Sequence, residues 1–336
     1  MSVRVLTGGL QTTVQDLGRS GHQSQGVPVG GAMDRTALRL ANIVVGNDES
    51  DAALEASLIG PALVFDHETL ISLAGGDLEA TVDGLTVPVW HAIWVPAGAT
   101  LRFGRPRVGC RAYVAVAGGI DVPPVFGSRS TYLRARFGGH EGRALKPGDV
   151  LPLGRPSAHA QRIARELRSD AGKATAARWS VTTLLRPRYS DEVAVRLVAG
   201  AHTGALSAAS RDALGGATFR VSSSSDRMGY RLEGATLSLR QPMELLSEGV
   251  VFGTVQLPPG GSPIVLMADA QTTGGYPRVG EVASVDLPLV AQLKPGDRLR
   301  FRLVSLEDAQ ALYLARETDI AQARTAIALR YSRGQT

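Results

Sequence analysis

A seven-residue string occurs twice in this chain of 336 residues, with one position changed, and it constrains the fold more than any other sequence feature. Residues 145–151 read LKPGDVL and residues 293–299 read LKPGDRL, while residues 95–101, VPAGATL, form a weaker copy. Each copy puts proline and glycine in a turn and then resumes the apolar alternation of a β-strand. The repeat predicts two domains of similar plan. The alternative is generic turn chemistry, since proline and glycine are common before strands.

Length and composition agree with a chain built from short strands. A chain of 336 residues exceeds the size at which one hydrophobic core usually stops growing, so two domains are expected. Glycine occurs 39 times and proline 18 times, and short apolar runs alternate with turn residues over residues 62–153. This spacing predicts mostly β structure, arranged as a barrel or a sandwich.

The same patterns suggest where the domains begin and end. We predict a β-barrel domain over residues 1–155, a linker over 156–190, a second β-barrel domain over 191–304 and a helical tail over 305–336. Ser305 with Asp308 resembles a capping box at the start of the tail, and apolar residues follow at helical spacing. Asp34 is a good N-cap for another helix, and the polar residues 11–31 before it predict a long loop.

The charge pattern excludes an obvious nucleic-acid footprint. The net charge is +5, but there are few lysines, and no basic run is interleaved with aromatic residues. No stretch approaches the roughly 18 apolar residues of a membrane span, and the N-terminus lacks the apolar segment of a signal peptide. We therefore expect a soluble, cytoplasmic protein whose partners include neither nucleic acid nor a membrane.

Several familiar catalytic motifs are missing from the sequence. The six histidines form no pair at metal-ligand spacing, and the single cysteine, Cys110, is interpreted as a small core residue, so we expect no metal site. There is no Gly-x-Ser-x-Gly elbow and no phosphate loop of the Gly-Lys-Ser/Thr type. What remains is a polar site built from loops and strand ends.

The first candidate site is the run SSSSDRMGYR, residues 222–231. Its arginines have the planar fork that clamps a carboxylate, and its serines and tyrosine offer hydroxyl groups. The candidate substrate-binding residues in this run are Ser225, Arg227, Tyr230 and Arg231. The alternative is a strand edge and turn in which Arg227 pairs with Asp226 or with a distant acid.

The second candidate site is the run DAQTTGGYPR, residues 269–278, just after the apolar string PIVLMA. A strand end presents side chains to a cleft, and paired glycines let backbone N–H groups point at an anion. The candidate substrate-binding residues are Gln256, Gln271, Thr272, Thr273, Gly274, Gly275, Tyr276 and Arg278. Glu248 and Asp269 are the candidate catalytic residues, because carboxyl groups serve as general acids or bases. The alternative is a glycine-rich hairpin whose polar groups satisfy each other.

Six long strings together resemble one family. They are TTVQDLGRSGHQSQGVPVGGAMDRTALRLANIVVGN, VAGGIDVPPVFGSRSTY, GRALKPGDVLPLG, SSSSDRMGYRLEG, LSEGVVFGTVQLPPGGSPIVLMADAQTTGGYP and LKPGDRLRF. These strings are similar to the biotin-dependent carboxyltransferase-like family, also called allophanate hydrolase subunit 2. In many bacteria, members of this family are the C subunit of ATP-dependent 5-oxoprolinase. The resemblance runs from about Val3 to Leu303.

The resemblance implies a mainly β fold of two cyclophilin-like β-barrel domains with a few peripheral helices. It also implies partners: a KipI-like B subunit, an A subunit, and a small amide or lactam substrate. With these subunits the family uses ATP to open 5-oxo-L-proline to L-glutamate, and the ATP binds with or on the partner subunit. Phosphorylation of the amide oxygen is a reasonable role for ATP, because a lactam is a poor electrophile. Arg227 or Arg278 would hold the substrate carboxylate, and residues 271–275 would bind the lactam or a phosphate.

The sequence leaves two further functions open. One is a biotin-dependent carboxyltransferase that acts on urea, for which biotin would arrive on a separate carrier, because no lysine here is flanked by methionines. The other is a regulatory binding module, since some family members act on a sporulation kinase through the partner subunit. The DAQTTGGYP form resembles the oxoprolinase type more than the urea type. Residues 197–206, LVAGAHTGAL, depart from the family pattern.

Overall fold

Short strands separated by turns run through most of residues 1–332, which are the residues that this computed structural model describes. Strands hold 31% of the chain and helices 20%, so the predicted mainly β class is confirmed. The chain divides into two units. The first unit holds residues 1–18, 34–187 and 318–332, and the second holds residues 19–33 and 188–317. The predicted boundaries at 155, 190 and 304 stay predictions.

The first unit is built on two six-stranded sheets. One sheet has the order β11-β1-β4-β9-β6-β7 and the other has the order β12-β8-β5-β10-β3-β2. The strands are β1 Ser2–Thr7, β2 Gln11–Gln15, β3 Ala53–Ser57, β4 Ala62–Phe65, β5 Thr69–Asp77, β6 Thr81–Val82, β7 Leu85–Thr86, β8 Ala92–Val95, β9 Thr100–Arg102, β10 Val108–Val116, β11 Val150–Pro152 and β12 Thr175–Ala176. The helices α1, Arg35–Val44, and α2, Ala158–Leu167, also belong to this unit.

The start of α1 is as predicted, but the loop before it is shorter than predicted. The carboxylate of Asp34 accepts a hydrogen bond from the backbone N–H of Ala37 at 2.9 Å, which caps α1. The prediction of a loop over residues 11–31 was wrong at its start, because Gln11–Gln15 forms β2 and pairs with β3. Its polar side chains are buried, so hydrophobic alternation could not reveal the strand.

The second unit contains a closed seven-stranded barrel with the order β13-β20-β17-β18-β15-β14-β21. A parallel pairing of β13 with β21, from Glu192 opposite Arg298 to Val198 opposite Val304, closes it. The strands are β13 Glu192–Ala199, β14 Thr218–Val221, β15 Gly229–Glu233, β16 Glu248–Gly249, β17 Thr254–Gln256, β18 Ile264–Leu266, β19 Thr273–Gly274, β20 Arg278–Val282 and β21 Arg298–Val304. The helices that begin in this unit are α3 Ala208–Gly216, α4 Leu287–Ala291 and α5 Leu306–Ser332.

The interior of the barrel is apolar, and this decides which side chains face outward. Val195, Phe219, Val255, Val279 and Phe301 belong to one buried cluster. Because side chains alternate along a strand, the neighbours of Val255 on β17 point away from this cluster. The outer face of β17 and β20 carries polar residues.

The helix predicted after Ser305 is present as α5. The backbone N–H of Asp308 donates to Ser305 Oγ at 3.0 Å, as the capping pair required. None of the helices within residues 1–332 combines the length and hydropathy that a membrane crossing needs.

The two LKPGD copies form the same hydrogen-bonded turn. In the first, the Lys146 N–H donates to Asp149 Oδ2 at 2.9 Å, and in the second the Lys294 N–H donates to Asp297 Oδ2 at 3.0 Å. The N–H of Gly148 donates to the carbonyl of Val5, and the equivalent glycine of the second copy bonds β14 in the same way. The sequence repeat is therefore a structural repeat, in which the aspartate closes a turn against a neighbouring strand.

Asp149 gives a pH-dependent prediction. Arg143 donates to its two carboxylate oxygens at 2.7 and 2.8 Å, and these bonds lower the pKa of Asp149 to about 2. A lowered pKa stabilises the fold at pH values above the ordinary aspartate range, and the contribution is lost as pH falls toward 2. We expect Asp149→Asn to lower the free energy of unfolding by about 1 kcal/mol at pH 6, and by less at pH 3. Urea unfolding at both pH values tests this, and an equal loss at both would contradict it.

Candidate functional site

A β-bulge in the barrel brings four polar residues onto one outer face. The register of β17 and β20 is given by Thr254 opposite Glu281, Val255 opposite Gly280, and Gln256 opposite Arg278. Between the last two pairs β17 advances by one residue and β20 by two, so β20 carries an extra residue at Val279. Arg278 and Glu281 therefore share the face of Gln256, although a regular strand would place residues three apart on opposite faces.

A short turn after β13 fixes the backbone of the bulge. The N–H of Arg278 donates to His202 Nδ1 at 3.1 Å, and the N–H of His202 donates back to the Arg278 carbonyl at 2.9 Å. The hydroxyl of Thr203 donates to the carbonyl of Val279 at 2.8 Å. A Cβ on Gly200 would lie 2.5 Å from the Arg278 carbonyl oxygen, so glycine is required there. The LVAGAHTGAL string departs from the family pattern, but its residues 200–203 have a structural role in this turn.

The outer face of the bulge holds buried polar atoms that have no hydrogen-bond partner within residues 1–332. These atoms are Gln256 Nε2, Arg278 Nε and Glu281 Oε2. The Gln256 side chain is 1% exposed. Burial raises the pKa of Glu281, while a hydrogen bond from Thr254 and the charge of Arg278 oppose that rise. Buried polar groups are nearly always hydrogen-bonded, so these three atoms make this face a candidate binding site for a polar ligand.

Two short strands, β16 and β19, cover this face. Glu248 lies opposite Gly274 in their pairing, and Arg278 Nη2 donates to Glu248 Oε2 at 2.8 Å. A Cβ on Gly274 would lie 2.4 Å from Gln256 Nε2, so the backbone of Gly274 rests directly on that amide. Gln271 Nε2 lies 3.5 Å from Gln256 Oε1, at the outer limit of a hydrogen bond. We call the outer face of β17 and β20 with this cover the bulge site.

The bulge site brings together six of the ten candidate residues of the second predicted site. Its members are Glu248, Gln256, Gln271, Thr273, Gly274 and Arg278, joined by Thr254, Glu281 and His202, which the sequence analysis did not single out. Thr272 lies beside them, where its carbonyl accepts from the N–H of Val250 at 3.1 Å. Gly275 and Tyr276 continue the chain and are exposed.

Arg227 and Asp269 lie apart from that face and bind each other. Arg227 Nε and Nη2 donate to the two Asp269 oxygens at 2.8 and 3.0 Å, and Nη2 also reaches the Gly31 carbonyl at 2.6 Å. Both side chains are buried, at 7% and 6% exposure. Arg227 thus pairs with a distant acid, one of the alternatives left open by the sequence. The substrate-binding role of Arg227 and the catalytic role of Asp269 stay predictions.

The remaining residues of the first predicted run are placed elsewhere in the barrel. Tyr230 is buried in the barrel core, where its hydroxyl donates to the Leu293 carbonyl at 3.1 Å. Ser225 Oγ accepts from the N–H of Arg231 at 3.1 Å in the turn between β14 and β15. The structure therefore does not join this run to the bulge site, and the substrate-binding roles of these residues stay predictions.

Adjacent glycines offer a matched test of the bulge site. A methyl group at Gly274 would displace the Gln256 amide, whereas one at Gly275 would meet the Leu245 carbonyl oxygen no closer than 3.4 Å. If Gln256 serves the activity, we expect Gly274→Ala to lower kcat/KM by about tenfold, as the loss of one ordered hydrogen bond does. We expect Gly275→Ala to stay within about twofold of the unmodified protein. Equal activities of the two variants would exclude a role for Gln256.

This fold is that of a carboxyltransferase-type domain. The carboxyltransferase domain family, subdomains A and B, matches residues 25–303, and the chain belongs to this family.

Three individual proteins are similar to this chain over more than 90% of its length. The chain is 41% identical to the C subunit of 5-oxoprolinase from Escherichia coli K12, over 91% of this chain and 93% of that protein. It is 38% identical to the C subunit of 5-oxoprolinase from Haemophilus influenzae, over 94% and 95%. Among solved structures, urea carboxylase of Kluyveromyces lactis superposes with a TM-score of 0.86 and 32% identity, over 96% of this chain. This chain spans only 29% of that larger protein.

Proposed function

We propose that this chain is the C subunit of an ATP-dependent 5-oxoprolinase, a lactam hydrolase. It acts in the cytoplasm with A and B subunits, the latter KipI-like, to convert 5-oxo-L-proline to L-glutamate. The observation that carries the proposal is the identity of 41% and 38% to two proteins named as the C subunit of 5-oxoprolinase, over nearly their whole lengths. Since those names describe one subunit of a larger enzyme, they also support a requirement for partner chains.

Arg278 is the residue of the bulge site that suits the carboxylate of 5-oxo-L-proline. Its guanidinium pairs with Glu248, whose side chain is 44% exposed and can swing into solvent. A substrate carboxylate would then take the place of the Glu248 carboxylate, so the Arg278 guanidinium would keep a charged partner. Glu248, released beside the substrate, becomes the candidate general acid or base.

The amides of the bulge site suit the lactam ring itself. Ring opening adds water across the C–N bond, so the water oxygen enters the new carboxylate and a proton goes to the nitrogen that leaves. Gln256 Nε2 has no hydrogen-bond partner among the described residues and sits beneath Gly274, where it can hold a carbonyl oxygen. Fixing the ring against this amide would orient it for attack.

The glycine-rich run at residues 271–275 does not fit a phosphate cradle. A phosphate-binding loop usually presents several backbone N–H groups at the start of a helix. Here Gly274 belongs to the short strand β19 and lies against a glutamine side chain. In this proposal ATP therefore binds the partner subunits, and this chain contributes the binding and orientation of the lactam.

Reconstitution tests the proposal. The purified chain is mixed with the A and B subunits, and L-glutamate release from 5-oxo-L-proline is measured with and without ATP. We expect release that needs ATP and all three subunits. Equal release when this chain is left out would exclude it from the enzyme.

The likeness to urea carboxylase favours one alternative function. The bulge site suits the amide groups of urea as well as a lactam, and the chain is 32% identical to the Kluyveromyces lactis enzyme. Under this alternative the chain would hold urea while a carboxyl group passes to a urea nitrogen from carboxybiotin on a separate carrier protein, and the proton of that nitrogen would go to biotin. ATP-dependent carboxylation of urea in the presence of a biotin carboxylase and carrier, without glutamate formation, would establish it.

A further inference from the structure

Glu281 is a partly buried acid that neither the repeat nor the glycine-rich runs single out. It lies on β20 opposite Thr254, one register step from the pair formed by Gly280 and Val255. Thr254 hydrogen-bonds its carboxylate, yet its Oε2 atom is buried and has no partner within residues 1–332. An acid in this position has a hydrogen-bond acceptor to offer to a ligand.

Two hydrogen-bond donors share the outer face of the bulge with Glu281, which is an acceptor. Gln256 Nε2 and Arg278 Nε are N–H donors without partners among the described residues, and they lie on the same face of the bulge as Glu281. Gln256 lies directly opposite Arg278, where Cβ atoms are about 5 Å apart. Glu281 lies opposite Thr254 and is therefore a diagonal neighbour of Gln256, at about 7 Å. These side chains can therefore meet around one small molecule. Two donors and one acceptor match one edge of an amide, which presents a carbonyl oxygen and an N–H.

We propose that Glu281 binds the N–H of the substrate amide, while Gln256 Nε2 and Arg278 Nε donate to the substrate carbonyl oxygen. This inference deepens the proposed function and rests on it, since it names the chemical class that the bulge site selects. That class is a small secondary or primary amide, such as a lactam or a ureido group. Glu281 is thus a specificity-determining residue.

The positive charge of Arg278 favours the ionised form of Glu281, which accepts hydrogen bonds. Arg278 interacts favourably with Glu281 and also pairs with Glu248, while His202 contacts the backbone of Arg278. An ionised carboxylate makes stronger hydrogen bonds than a neutral oxygen, so it binds a ligand that carries an N–H more tightly. A ligand with an oxygen in place of the N–H would bring lone pairs against the carboxylate and bind poorly.

The test compares two ligands that differ only in this group. 5-Oxo-L-proline and the matching lactone acid, 5-oxotetrahydrofuran-2-carboxylate, are titrated into the complex of this chain with its partner subunits, in the absence of ATP. We expect the unmodified complex to bind the lactam at least about tenfold more tightly than the lactone. In the Glu281→Leu complex we expect this preference to shrink to within about twofold. Glu233→Leu, at an exposed acid on β15 paired with Arg220, serves as the matched control and should keep the preference.

The outcomes separate this inference from the proposed function. Glutamate release by the unmodified complex, together with an unchanged lactam preference in the Glu281→Leu complex, would overturn the inference and leave the proposed function standing. Absence of both lactam binding and glutamate release in the unmodified complex would overturn both. If Glu281→Leu does not fold, as judged by its thermal transition, Glu281→Gln replaces it. The preference should then fall at least about threefold, and an unchanged preference would overturn the inference.

Discussion

Arg227→Ala is expected to lower the free energy of unfolding by about 3 to 5 kcal/mol, because it leaves the carboxylate of Asp269 buried without its charged partner. The two side chains are joined by bonds of 2.8 and 3.0 Å at 7% and 6% exposure. The arginine also donates to the carbonyl of Gly31, so its loss also removes a hydrogen bond between the barrel and residues 19–33 of the second unit. Urea unfolding of the purified chain gives the measurement.

Two controls show that burial of the ion pair causes this loss. The double variant Arg227→Met with Asp269→Leu removes both charges, and we expect it to recover most of the lost stability, because an apolar pair needs no charged partner. Arg220→Ala breaks an exposed pair with Glu233 on the same barrel, and we expect it to cost less than about 1 kcal/mol. A cost below about 1 kcal/mol for Arg227→Ala would show that this pair does not hold the fold.

Arg278→Ala should lower kcat/KM for 5-oxo-L-proline by about 100-fold in the reconstituted complex, which corresponds to about 2.7 kcal/mol of lost interaction with a charged substrate group. The physical reason is that a guanidinium binds a carboxylate through two charge-assisted hydrogen bonds, and alanine offers none. Because Arg278 is half-buried and its backbone is held by His202, the fold should survive the truncation.

The matched control for Arg278 is again Arg220. Both arginines lie on barrel strands and donate through Nη2 to a glutamate at 2.8 Å, but Arg220 lies on β14, away from the bulge. We expect Arg220→Ala to keep kcat/KM within about twofold. If Arg278→Ala keeps full activity as well, the substrate carboxylate is bound elsewhere and the bulge site loses its central role.

Features that depend on local chemistry could be predicted from the sequence. Proline, glycine and aspartate in the LKPGD copies predicted two equivalent turns, and each aspartate accepts the lysine N–H of its own copy. Asp34 predicted a helix start for the same reason, since a cap acts within three residues. Gln256, Gly274 and Arg278 were chosen for their residue types, and the structure places them together.

Other features depend on register and on long-range contacts, which residue types do not reveal. Glu281 was missed because a regular strand would turn it away from Arg278, and only the extra residue at Val279 brings it back. Gly280 inside the strand was the available signal, since glycine within a strand often marks a bulge. The pairing of Arg227 with Asp269 crosses 42 positions of the chain and could not be read from either run alone.

The most direct test of the proposed function gives one reconstituted complex a choice of substrate. ATP hydrolysis is measured with 5-oxo-L-proline, and separately with urea, bicarbonate and a biotin carboxylase with its carrier. We predict ATP hydrolysis that depends on 5-oxo-L-proline, is matched by L-glutamate release and is absent with urea. Hydrolysis that depends on urea, with no glutamate formed from 5-oxo-L-proline, would contradict the proposed function.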